Sequence, residues 1–147
     1  MCPYTPKDIS ELKKIKMWIN CLCEESQRMI KSIFPQEIPD LGDVRLLRVE
    51  WNPDWIEISF DLYEIPEVVP KRWREIGFDK ISISMEFIGG VQYRFMDLNL
   101  LKSEHFSLSM AMDEISDKRN VIGKNVDDER VFEFNVNSIY VRNIGRI

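Results

Sequence analysis

The sequence predicts an α+β fold in which one or two N-terminal helices pack on a curved antiparallel sheet of about six to seven meandering strands. Three observations predict it. Apolar residues recur at helical spacing as far as Pro35, they alternate with period two from Val44 onward, and short turn signals separate the alternating runs. Neighbouring strands joined by short turns pair antiparallel, and a sheet with an apolar face needs a cover.

The cover is read from the first 35 residues. Ile9, Leu12, Ile15, Ile19 and Leu22 form one helical stripe, and Met29, Ile30, Ile33 and Phe34 resume it. Asp8 with Glu11 resembles a capping box, and Pro6 suits a first helical position. The polar run Glu24 to Arg28 interrupts the stripe, so the segment reads as two helices or as one broken between Asn20 and Ser26. Pro35 ends it, and "PQEIPDLGD" is a turn-rich connector.

The strands follow. "VRLLRVEW" changes apolar parity between Leu46 and Leu47, which predicts a bulge. Asn52-Pro53-Asp54 turns the chain into "WIEISFDLY", where Ile56, Ile58, Phe60 and Leu62 alternate with Trp55, Glu57, Ser59, Asp61 and Tyr63. "KISISMEFI" alternates again, and Gly89-Gly90 predicts a hairpin turn into "VQYRFMDLNLL". Lys102-Ser103-Glu104 reads as a turn before "FSLSMAM". Residues 116–130 are polar and read as a loop, and "VFEFNVNSIYVRNI" closes the sheet with a parity change near Asn137.

A chain of 147 residues fits one domain spanning 1–147, helical over 1–35 and mainly β over 44–147. The net charge of −5 argues against non-specific nucleic-acid binding and fits a basic partner. Cys2, Cys21 and Cys23 cluster at one end, without zinc-ligand spacing or a disulfide framework, so reduced thiols in a cytoplasm are expected. No apolar signal region and no membrane-length apolar run is visible. His105 is the only histidine, no phosphate-binding glycine motif or EF-hand spacing exists, and Glu57 and Asp61 lie about 13 Å apart, too far for a glycosidase pair. A non-enzymatic protein without cofactor or metal is the expectation.

The stretch "YEIPEVVPKRWREIGF", residues 63–78, interrupts the strand pattern. Pro70 and Gly77 punctuate a short helix that sets Trp73 and Ile76 on one face and Lys71, Arg72, Arg74 and Glu75 on the other. Such a turn plugs the sheet with Trp73, exposes Arg72 and Arg74 at an interface, or does both.

The segments "SIFPQEIPDLGDVRL", "ISFDL", Pro70-Lys71-Arg72-Trp73 with Gly77, and "ISISMEFIGG" resemble the immunity protein 50 family, most clearly from Trp18 to Ile88. Residues 1–16 look like an extra portion, and 101–130 departs from the family pattern. The resemblance implies a bacterial protein that binds and inhibits a cognate polymorphic-toxin domain by non-covalent association. Eight residues are the candidate partner contacts: Trp55, Glu57, Asp61 and Tyr63 on one strand face, Arg72 and Arg74, and the loop acids Asp127 and Asp128. The competing reading is a β-rich carrier of a small apolar ligand, which the aromatic content permits.

Overall fold

A computed structural model of the chain describes residues 17–35, 38–63, 80–113 and 115–146. Within them the helical part is a 3-10 turn, Met17–Cys21, followed by helix α1, Glu24–Ile33. Both lie where the stripe divides. Glu24 and Glu25 in the first turn and Lys31 in the last complement the helix dipole. Helix α1 ends at Phe34, whose N–H bonds the Ile30 carbonyl, one residue before Pro35. The expected stripe at Ile9, Leu12 and Ile15 and the proline stretch from Glu64 to Phe78 lie outside the described residues.

Eight strands follow: β1 Val44–Trp51, β2 Trp55–Leu62, β3 Ile81–Ile88, β4 Gln92–Met96, β5 His105–Met112, β6 Arg119–Lys124, β7 Arg130–Val136 and β8 Ser138–Arg146. They form one open antiparallel sheet in the order β4-β7-β6-β5-β1-β2-β3-β8. The antiparallel sheet is as expected; the plain meander and the count of six to seven strands are not. β1-β2-β3 and β5-β6-β7 are meanders, joined by only two residue pairs, Val44 with Phe106 and Arg45 with His105. Beyond that seam Leu41 continues along β5, its carbonyl accepting the Leu108 N–H at 2.9 Å.

Gly89-Gly90 makes a corner and not a hairpin. β3 pairs with β8 and β4 pairs with β7, so 81–96 and 130–146 run as one long two-stranded ribbon through both half-sheets. The ribbon bends where Gly89 and Gly90 take φ of 86° and 56°, opposite Asn137, whose N–H bonds the Gly89 carbonyl. Glycine dipeptides serve either geometry; the partner strand decides, and at the corner it lies 48 residues on, from Gly89 to Asn137. The parity change at Asn137 marks the other side of the same corner, as expected.

The stretch 116–130 is likewise not a loop. It contains β6, whose Val121 and Gly123 face the core while Asn120, Ile122 and Lys124 face out. Val121 is the one apolar side chain on the inner side, because a glycine takes the other buried place. The bulge is found where expected, between Leu46 and Arg48. The Asn52 turn also holds, with Asn52 Oδ1 accepting from the Asp54 and Trp55 N–H groups.

Inside the folded sheet, Phe60, Phe87, Phe132 and Phe134 are fully buried. Phe87 of one half-sheet meets Phe134 of the other edge-to-face at 5.3 Å. The helical segment covers the β8 edge. Ser26 Oγ accepts the Val141 N–H at 2.9 Å, and the Cys23 N–H donates to the Ile139 carbonyl at 3.0 Å. Edge backbone groups are thereby paired instead of left for another chain. Arg119 ties this cover to the ribbon corner, donating to the carbonyls of Cys21 at 3.1 Å and Asn137 at 2.6 Å.

Candidate functional site

Two polar surfaces gather most of the candidate residues that the structure describes. The first is the outer face of the β1-β2-β3-β8 half-sheet. Period-two alternation sends Glu57, Ser59 and Asp61 outward from β2, opposite Glu86, Ser84 and Ser82 of β3. Glu50 of β1 is directly opposite Glu57, so Glu50, Glu57 and Glu86 form a row of three carboxylates across three strands. Facing like charges repel. Arg48 bonds Glu50, and Arg142 sits 3.6 Å from Glu57 and 3.2 Å from Glu86. Three acids with two cations leave the row negative. Trp55 lies half-buried beside it, opposite Ile88.

Asp61 differs from the rest of the strip. It is only 5% exposed and accepts a hydrogen bond from the Ser82 hydroxyl, so it is placed to hold the sheet rather than to meet a partner. The alternation rule assigns it a face correctly but carries no information about what covers that face.

The second surface is a cleft of about 460 Å3 at the narrow β1–β5 seam, lined among others by Asp43, His105, Ser107, Asn125 and Asp128. His105 Nδ1 lies 2.8 Å from Asp43 Oδ1, and its ring stacks on Tyr63 with centroids 4.6 Å apart. Tyr63 is exposed, and its hydroxyl pKa is raised by partial desolvation and by Glu104 and Asp43. The cleft's other wall is the β6–β7 turn. Asn125, buried, accepts the N–H groups of Asp127 and Glu129 and donates to the Leu100 carbonyl at 2.7 Å. Asp128 follows with φ 65°. Lys102 reaches Asp127 at 3.0 Å and Glu129 at 2.6 Å, Lys124 reaches Asp128 at 3.3 Å, and Arg45 reaches Glu104 at 3.5 Å. Asp43, Glu104, Asp127, Asp128 and Glu129 outnumber Arg45, Lys102 and Lys124, so this surface is also acidic.

Tyr63 therefore stacks on His105 and Asp128 lines the same cleft, with Asp127 beside it on the β6–β7 turn, while Trp55 and Glu57 belong to the other surface. Arg72 and Arg74 lie outside the described residues. Sequence reasoning missed Glu50, Glu86 and Asp43. Only strand register brings the first two beside Glu57, and only the seam brings Asp43 to His105. Among the described residues no group of three or more His, Cys, Asp or Glu is arranged to hold a metal ion, and no helix is long and apolar enough to cross a membrane.

Comparison with known families matches residues 26–145 to immunity protein 50. The chain belongs to the immunity protein 50 family. The match takes in α1 from Ser26 and all eight strands up to Gly145, and it runs through 101–130, the stretch that departs from the expected pattern. In this immunity protein 50 member both acidic surfaces thus lie on family-matched sequence, whereas residues 1–25 precede the match. No curated protein and no solved structure matches the chain.

Proposed function

We propose that the protein is an immunity protein that binds a cognate bacterial toxin domain in the cytoplasm and inhibits it by non-covalent association. The observation that carries this reading is the family match over 26–145. The two acidic surfaces support it and suggest a basic toxin. The carboxylate row with Trp55 and Glu57, and the seam cleft with Tyr63, Asp127 and Asp128, would raise the encounter rate with such a partner. Masking the toxin's active site then requires only shape and charge, with no reacting group supplied by this chain. Arg72 and Arg74 remain part of the proposed contact set. The carrier alternative gains little support, because Phe87, Phe132 and Phe134 occupy the space between the half-sheets.

The test is co-expression with the toxin domain encoded by the adjacent gene. Growth should be rescued, the two proteins should co-purify, and the association rate should fall as salt rises through the range where the Debye length drops from about 10 Å to about 3 Å. Failure to rescue or to co-purify would remove the reading.

A further inference from the structure

β1 and β5 pair only through Val44 with Phe106 and Arg45 with His105. Where that pairing ends the strands part, and the cleft of about 460 Å3 opens beside the seam. Three kinds of side chain meet in it. Asp43 and Asp128 bring charge, Val126 brings an apolar lip that is 53% exposed, and His105 carries the exposed Tyr63 ring stacked on its own. Pockets that hold a ligand combine apolar or aromatic walls with a few convergent polar groups in this way.

Both walls are fixed before anything enters. On one side the Gly42 N–H donates to Asp40 Oδ1 at 2.7 Å, the Leu41 carbonyl accepts the Leu108 N–H at 2.9 Å, and Val44 pairs with Phe106, so the chain is held before and after Asp43. On the other, buried Asn125 accepts the Asp127 and Glu129 N–H groups at 3.0 Å each, and the turn presents Asp128 with φ 65°. A receptor already in its bound shape loses little freedom when a partner docks.

The cleft's own charges choose the occupant. Among the described residues, Asp43, Glu104, Asp127, Asp128 and Glu129 stand in or around it against Arg45, Lys102 and Lys124, five acids to three cations. Each of those cations is already held: Arg45 by Glu104, Lys102 by Asp127 and Glu129, Lys124 by Asp128. Asp43 instead faces the His105 ring at 2.8 Å, which counts as neutral at pH 7. Lys80 stands on the β3 side of Tyr63, away from β5, and Arg130 is bonded to Glu133. A second copy of this chain would set acid against acid, whereas a lysine or arginine would be drawn in.

We propose that the seam cleft is the socket for one lysine or arginine side chain on a surface loop of the toxin domain. The cationic head meets Asp43 and Asp128, and the aliphatic stem packs on Val126 and the Tyr63–His105 stack. This rests on the immunity reading and adds which surface grips the partner and through what side chain. A charge enclosed in the cleft acts on dissociation, whereas acids left on the rim act on association, so kinetics separates grip from steering.

The experiment measures binding kinetics of the inactivated toxin domain encoded by the adjacent gene. It compares the wild-type protein with Asp43→Asn/Asp128→Asn, with Val126→Lys, whose own cation would fill the cleft, and with Glu24→Gln/Glu25→Gln, which removes the same charge from α1. All five positions are exposed, so melting temperatures should hold, and thermal melts check that each variant folds. Asp43→Asn/Asp128→Asn and Val126→Lys should each speed dissociation at least about tenfold, and Glu24→Gln/Glu25→Gln should leave it within about twofold. Alanine substitution of the toxin's lysines and arginines then finds the occupant: one of them should speed dissociation from the wild type about tenfold and change nothing further against Asp43→Asn/Asp128→Asn. If the wild type binds but Asp43→Asn/Asp128→Asn and Val126→Lys dissociate as slowly as it does, even with slower association, the socket is refuted while the immunity reading stands. If the wild type does not bind, the immunity reading itself falls. A wild-type dimer that Val126→Lys dissolves would assign the cleft to a second copy and overturn the proposal.

Discussion

Gly123 has no room for a side chain. A Cβ there would stand 2.3 Å from Phe106 Cζ and 2.6 Å from Phe132 Cζ, two rings that pack with centroids 5.5 Å apart. Gly123→Ala should therefore cost about 1–3 kcal/mol, at the upper end because ring carbons of two side chains must move together. A urea titration reads it, and a change under about 0.5 kcal/mol would show that the rings shift freely. At the β6–β7 turn, the hydrogen bond from Lys102 and then that from Asn125 hold the Glu129 carboxyl below its usual 4.5. A carboxyl lowered by folding adds stability above its unfolded value, and that contribution is lost as pH falls through the folded value. The window thus lies below the ordinary carboxylate range. An NMR titration should place the Glu129 midpoint under 4.5, and Lys102→Met should return it toward that value; a midpoint indifferent to Lys102 would contradict the assignment. Cys21 is a third case. Burial raises its thiol pKa, against a smaller opposing effect of Arg119, so it stays protonated and shielded. Thiol reagents at mildly alkaline pH should label Cys23 well before Cys21, as mass spectrometry of the peptide would reveal.

The elements depend on pairings that span much of the chain. The β8 edge is closed by Ser26 from 115 residues away. Ser26→Ala would leave the Val141 N–H buried and unpaired, at about 1–3 kcal/mol, with faster amide exchange along β8. Unchanged exchange at Val141 would mean that water replaces the hydroxyl. This dependence also explains what could be read in advance. The Leu46–Leu47 bulge, the Asn52 turn, the break before α1 and the parity change at Asn137 are local signals, each carried by a few adjacent residues, and each is found. The Gly89-Gly90 corner, strand β6 and the distant partners of β4 and β8 are not local. Glycine's freedom permits a corner or a hairpin equally, and β6 hides a glycine where its alternation needed an apolar residue. The candidate site divides the same way. Alternation put Glu57 outward beside Trp55, but register alone aligned it with Glu50 and Glu86, and only the β1–β5 seam brought Asp43 to His105.

At the scale of the whole molecule, the two half-sheets share one core, and among the described residues a two-pair seam, its extension at Leu41 and one bent ribbon join their backbones. Charge is distributed with the same economy, acidic at both ends of β1. Reversing sign at one end should leave the melting temperature nearly unchanged, since exposed charges contribute within about 0.5 kcal/mol, while toxin association slows. A variant that lost both stability and binding would show that the acids serve folding first. The ribbon has a further consequence for synthesis. β3 can pair with β2 as soon as it is made, but its other neighbour β8 begins at Ser138, so a ribosome must pass Ser138 before the second edge of β3 is filled. Under the proposed immunity function a half-finished copy would protect nothing, and protection would arrive in one late step.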